Sequence, residues 1–198
     1  MGDVFLPNNV QGDIAMSISS QDLNYVKDHI RIVPDFPKAG VQFVDITTTL
    51  KDAKAFGITL DYMKESLQGE QIDLIVGLES RGFIYGAALS AAMQVGFAPI
   101  RKPGKLPAEV VSVDYALEYG TDTIEIHQDA IKKGQKILIV DDLLATGGTA
   151  EAASKLIRKL GGEVMGAVFF VELTSLGGRK RLETNNIQVH SLLQYDLD

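Results

Sequence analysis

The chain of 198 residues contains no cysteine, so disulfides and thiolate metal sites are excluded. That absence fits a reducing compartment, and a cytoplasmic location is expected. No apolar run approaches the ~20 residues that cross a bilayer. The opening stretch, MGDVFLPNNVQGDIAMSISS, lacks a basic region and a continuous apolar segment, so it is not expected to be a secretory signal. Its Pro, Asn, Gly and Ser content predicts a loose arm over residues 1–19. Positive charge is also scarce: 19 Lys and Arg against 26 Asp and Glu give a formal net charge of −7. A broad electrostatic grip on nucleic acid or an anionic membrane is therefore not expected. The GxGxxG dinucleotide fingerprint and the GxxxxGK[ST] loop are both missing. The three histidines, His29, His127 and His190, have no metal-like spacing. Internal repeats and low-complexity tracts are absent.

What remains is an ordinary globular composition, 45% hydrophobic and 23% charged, of a length that suits one domain over 1–198. Ser20 or Asp22 is the expected cap of a first helix carrying Leu23, Val26 and Ile30. Pro34 and Pro37 stop it, and DFPKAGVQFVDIT reads as extended and turn-rich. Phe56, Leu60, Met63 and Leu67 mark a second helix. IDLIVG, FAPIRK, KILIV and EVMGAVFFVEL are apolar enough to be strands. ESRGFIYGAALSAAMQ and TAEAASKLIRKL read as helices between them. Strand–helix–strand units with continuously apolar strands predict a parallel sheet covered on both faces, an α/β class in which ligands collect at the carboxyl ends of the strands. Alternation at Val111, Val113, Tyr115, Leu117 and Tyr119, a turn at GTD and alternation again in TIEIH predict a hairpin the size of a lid.

One run carries most of the chemistry. In ILIVDDLLATGGTA, a buried strand leads into Asp141 and Asp142, then into Ala145, Thr146, Gly147, Gly148 and Thr149 before a helix. Backbone N–H groups of a glycine-rich turn and a helix N-terminus together cradle phosphate. Carboxylates would repel that phosphate, so they suit something a sugar's width away. The vicinal hydroxyls of a ribose fit, as does a divalent cation held mainly by ligand oxygens. The ligand implied is a ribose 5-phosphate. The plain alternative is a strand end, a turn and a helix cap with no ligand.

The run VDDLLATGGT resembles the phosphoribosyl-pyrophosphate signature of the type I phosphoribosyltransferases. DFPKAGVQFVDIT, GLESRGF, RKPGKLP, LEYGTDTIEI, VELTSLGGR and SLLQYD follow the same family's order, closest to its adenine-using branch. The resemblance runs from about Ile30 onward. It implies a central, mainly parallel sheet flanked by helices, a small hood at about 30–50 and a flexible lid hairpin at about 102–127.

On that resemblance, Ala145 to Thr149 bind the 5′-phosphate, and Asp141 with Asp142 hold the ribose hydroxyls. Glu79, Ser80 and Arg81 form the pyrophosphate loop. Arg101, Lys102 and Lys105 reach the same leaving group, partly across a homodimer interface. Pro103 stands where many relatives carry another arginine. Adenine lies between Phe43 and Leu143, with backbone contacts around Gln42 and Val44, and Val44 replaces a common arginine. Glu118 is the expected general acid/base of the lid, with Tyr119 beside it, because Ala145 occupies the place of the aspartate used by relatives of 6-oxopurine specificity. The reaction implied converts adenine and 5-phosphoribosyl 1-pyrophosphate to AMP and pyrophosphate, with Mg²⁺. A 6-oxopurine or pyrimidine substrate is the second reading, and a nucleic-acid-binding regulator that keeps the fold is the third. Ala145 and LEYG weigh against the former, the acidic balance against the latter.

Overall fold

The computed structural model describes residues 18–117 and 120–197. The arm expected over 1–19 thus falls almost wholly outside the described residues. Helix α1 (Ser20–Asp28) is capped by Ser19, whose hydroxyl accepts from the Asp22 N–H at 3.1 Å while the Asp22 carboxylate accepts from the Ser19 N–H at 3.3 Å. This reciprocal box places the cap one residue before Ser20 and puts Asp22 in the helix's first turn.

Strands β1 (Arg31–Pro34) and β2 (Gln42–Asp45) pair antiparallel, with Val33 opposite Phe43 and Ile32 opposite Val44. The segment expected to be merely extended is therefore a hairpin arm. Helix α2 (Thr47–Leu50) follows, and Asp52 then caps α3 (Ala53–Glu65) by accepting from the Ala55 N–H at 2.8 Å. Strand β3 (Leu74–Leu78), helix α4 (Gly82–Met93) and strand β4 (Gly96–Ile100) form the first parallel unit.

Strands β5 (Val110–Leu117) and β6 (Gly120–His127) form the expected hairpin, but its register differs from the sequence reading. Leu117 pairs with Gly120 and Tyr115 with Asp122. Gly120, Thr121 and Asp122, expected to turn the chain, lie inside β6, and the link is residues 118–119, outside the described residues. The hairpin is rooted in the core: Tyr115, Ile124 and Ile126 are buried in the same cluster as α5.

Strand β7 (Lys136–Leu144), helix α5 (Gly148–Lys159) and strand β8 (Glu163–Leu173) form the second parallel unit. A third crossover, through α6 (Gly178–Thr184), ends in β9 (Val189–Tyr195). Residue patterning does not predict β9; only the resemblance covers it.

The five strands run parallel in the order β4-β3-β7-β8-β9. One core cluster joins Ala152, Ala153, Leu156 and Ile157 of α5 to Ile137, Ile139 and Phe169. The other joins Tyr85 and Leu89 of α4 to Leu138, Val140 and Phe170. Odd and even residues of β7 thus serve opposite faces, as a strand buried on both sides requires.

Candidate active site

The chain leaves β3 toward β4 and leaves β7 toward β8, so the connections diverge between β3 and β7. Such a switch point opens a crevice at the carboxyl ends of the two strands. Pairing of β3 with β7 stops at Gly77 and Val140, whereas β7 continues to Leu144 along β8. Asp141 and Asp142 therefore lie within the strand, just where one side of it loses its neighbour. The start of α4 closes against that gap. A Cβ on Gly82 would stand 2.7 Å from Asp141 Oδ1 and 2.8 Å from the Val140 carbonyl, so only glycine fits.

Beyond Leu144 the chain turns through Gly147, which has φ +77° and caps α5 in the left-handed region. No side chain caps this helix. Its first-turn N–H groups have no partner within the helix, which leaves them for an anion. Asp141, Leu143, Leu144 and residues 145–150 line a cavity of about 90 Å³ with Phe169. A larger groove of about 550 Å³, between the C-terminal ends of α3 and α4, is lined by Asp61, Lys64, Gln68 and Gln94 and touches none of these residues.

The two carboxylates have different surroundings. Asp142 is 4% exposed, and Arg81 Nε lies 2.9 Å from its Oδ2. The contact is an ion pair, and the buried Oδ2 makes no hydrogen bond. Asp141 keeps some exposed surface and accepts from the Asp142 N–H at 2.9 Å. Burial and the neighbouring charge push the Asp141 carboxyl well above the usual range. Burial raises Asp142 too, against the pull of Arg81 toward the anion. Two adjacent desolvated carboxyls resist being ionised together.

Arg81 also stands over the face of Phe43, 5.2 Å from the ring centroid. Phe43 meets Phe36 edge-on, with centroids 5.1 Å apart. One guanidinium thus joins the β1–β2 hairpin to the acidic pair. Gln42 is exposed, Val44 is buried at 3%, and Leu143 packs against the cluster that holds Val44. The Val44 side chain is core, which leaves only its backbone for a ligand.

The cations of RKPGK sit opposite, already engaged. Glu79 accepts from Arg101 Nε at 3.3 Å, from the Lys102 N–H at 2.8 Å and from the Lys105 ammonium. Burial works against the Glu79 charge, but these donors outweigh it and hold the carboxyl at about 2. The Lys102 ammonium pairs with Asp122. The loop is pinned to β6 by two 2.8 Å backbone bonds between Arg101 and Glu125 and by Gly104 N–H donating to the Glu125 carboxylate at 3.1 Å. Ser80 is exposed beside them, and the Glu79–Ser80 peptide is cis. Glu118 and Tyr119 lie outside the described residues.

Several site-forming residues escaped the sequence reading. Tyr115 hydroxyl accepts from Thr149 Oγ1 at 3.4 Å and donates to Asp122 at 3.2 Å, linking the start of α5 to the hairpin. Gly178 backs the turn before α5, where a Cβ would stand 2.2 Å from the Ala145 carbonyl oxygen. Arg179 holds it there by a fork onto buried Glu172 at 3.0 and 2.5 Å. The Gly177-Gly178-Arg179 triplet in VELTSLGGR was the available signal. Among the described residues no group of three or more His, Cys, Asp or Glu could hold a metal, and no helix is long and apolar enough to cross a membrane.

Known proteins resemble this chain in sequence and fold. A family model described as phosphoribosyl transferase domain matches residues 47–193. An adenine phosphoribosyltransferase of Yersinia pseudotuberculosis is 50% identical over 183 residues, 92% of this chain and 98% of that protein. The crystal structure of an adenine phosphoribosyltransferase from Thermoanaerobacter pseudethanolicus superposes with a TM-score of 0.84 at 52% identity, covering 87% of this chain and 99% of that one. The enzyme of that name from Saccharomyces cerevisiae, solved with adenine and an imino-altritol bisphosphate, gives 0.82 at 39% identity over 88% and 99%. Matched by the family model over most of its length and half identical to such an enzyme, the chain belongs to the phosphoribosyltransferase family.

Proposed function

We propose that the chain transfers the 5-phosphoribosyl group of 5-phosphoribosyl 1-pyrophosphate to adenine, giving AMP and pyrophosphate. The observation that carries this reading is the crevice between β3 and β7, where Asp141 borders the uncapped turn 145–149. Relatives half identical to the chain bear the adenine name, and the yeast structure holds adenine.

The 5′-phosphate is held by the amides of Ala145 to Thr149 and the hydroxyls of Thr146 and Thr149. Asp141 faces the ribose hydroxyls, and Asp142 acts from behind, oriented with Arg81. Arg81 and the Glu79–Arg81 backbone, with Arg101, Lys102 and Lys105, receive pyrophosphate as charge builds on it. Adenine lies against Phe43, bounded by Leu143, with the Gln42 and Val44 backbone reading its edge. Ala145 cannot move a proton, so Glu118, with Tyr119 beside it, takes that role on the lid 102–127. Asp141, the acid of the pair that keeps exposed surface and lines the cavity, fits a divalent cation whose other ligands are mainly substrate oxygens. Mg²⁺ so held would offset charge on the leaving pyrophosphate. A cytoplasmic homodimer, a hood over 30–50 and a single domain over 1–198 complete the proposal, on the family resemblance and the cysteine-free composition. Turnover with adenine, hypoxanthine, guanine and orotate, with and without Mg²⁺, tests it; preference for any base but adenine overturns the assignment.

A further inference from the structure

We infer that the Glu79 side chain is an internal stand-in for pyrophosphate, competing with it for the basic loop and weakening the hold on the leaving group. The inference deepens the proposed function and rests on its placement of pyrophosphate between the 79–81 loop and Arg101 to Lys105.

Glu79 is the first residue beyond β3, at the mouth of the crevice. Its carboxylate gathers two side-chain cations and one amide: Arg101 through Nε at 3.3 Å and Nη2 at 3.5 Å, the Lys105 ammonium, and the Lys102 N–H at 2.8 Å. Only 11% of the side chain is exposed. The third cation of the loop, Lys102, is taken by Asp122. Every cation of RKPGK is thus paired inside the chain. A loop built only to seize a multiply charged anion would keep a carboxylate out of its centre, because like charge there opposes binding. Glu79 cannot escape by taking up a proton, since its donors hold it ionised down to about pH 2. Pyrophosphate must therefore draw Arg101 and Lys105 away from Glu79 or bind beside its charge. Either route reduces affinity and favours departure of the product. A carboxylate that merely anchored the loop would act with the opposite sign: removing it would loosen the cations and weaken binding.

The signs separate in calorimetry of inorganic pyrophosphate, at fixed Mg²⁺, with the full chain and with Glu79→Gln. The variant should bind on the order of tenfold tighter. Equal or weaker binding by Glu79→Gln overturns the inference, provided that Arg101→Ala and Lys105→Ala weaken binding by the wild-type chain. If those two leave it unchanged, the placement of pyrophosphate itself fails, and the inference with it. A measurement on the wild-type chain covers the case in which Glu79→Gln does not fold. The Arg101 Nε–H resonance should shift as pyrophosphate replaces the carboxylate, and an unmoved resonance at saturation overturns the inference.

Discussion

Arg81 Nε lies 2.9 Å from Asp142 Oδ2, an arginine side chain 34% exposed against a carboxylate side chain 5% exposed. The guanidinium is the main compensation for two desolvated acids on consecutive residues. Arg81→Gln should therefore destabilise the empty protein by about 3 kcal/mol at pH 7, the low end for removing one partner of a buried pair. The loss should shrink on mild acidification, as the pair takes up protons. Urea unfolding at pH 7 and pH 5 checks both the size and the trend.

Asp141→Asn should do the reverse. The folded chain holds the Asp141 proton more tightly than the unfolded chain does, because burial raises its pKa above the ordinary ~3.9. Its contribution to stability is fully present below that ordinary value and declines as pH rises toward the folded value. Removing the charge should raise Tm at pH 7 while weakening affinity for 5-phosphoribosyl 1-pyrophosphate. Thermal melts and calorimetry on one sample measure the two effects, and a lowered Tm would contradict the burial argument.

Gly178→Ala places a methyl 2.2 Å from the Ala145 oxygen and 2.8 Å from Leu144 Cδ1. Backbone must move, at about 1–3 kcal/mol, and the phosphate turn moves with it. Affinity for AMP should fall about tenfold, the equivalent of 1.4 kcal/mol, while pyrophosphate affinity stays near the wild-type value. Equal losses for both ligands would mean general damage instead.

Glu118→Gln should lower kcat by about 10²- to 10⁴-fold with little change in KM for the phosphosugar. Steady-state kinetics decide this, and an unaltered kcat removes Glu118 from the chemistry.

Asp45 and its partners predict an acid limit. Donors from Thr47, then Arg31, hold Asp45 at about 2. A depressed carboxyl contributes stability above its unfolded value near 4 and loses it as pH falls toward 2. Asp45→Asn should flatten that part of the stability profile, as followed by circular dichroism between pH 5 and pH 2.

The run 137–150 was legible because its chemistry is contiguous: apolar strand, acids, glycine turn and helix sit in one stretch whose local rules agree. The same holds for the hydrophobic faces of α3 and α5. What escaped depends on distance through space. Gly82 and Gly178 are ordinary glycines in sequence; their meaning is the oxygen each would strike. Asp122 looked like part of a turn because glycine precedes it, yet its place opposite Tyr115 and on Lys102 puts it in a strand. The β1–β2 hairpin was hidden by prolines, which end one of its strands rather than forbid it. Arg179 and Glu172, seven residues apart, gave no hint of a buried fork, since no periodicity encodes it.

Because all five strands of the sheet run the same way, the proposed site gathers at one rim and the strand starts lie at the other. There Gly134 N–H donates to the Gly161 carbonyl at 2.8 Å, tying the turn before β7 to the one after α5. Asp141 lies five positions along β7 from Lys136, roughly 17 Å at the usual rise. A tag, a dye or a tether to a solid support, attached beside Lys133, would therefore report on or immobilise this catalyst from its quiet end.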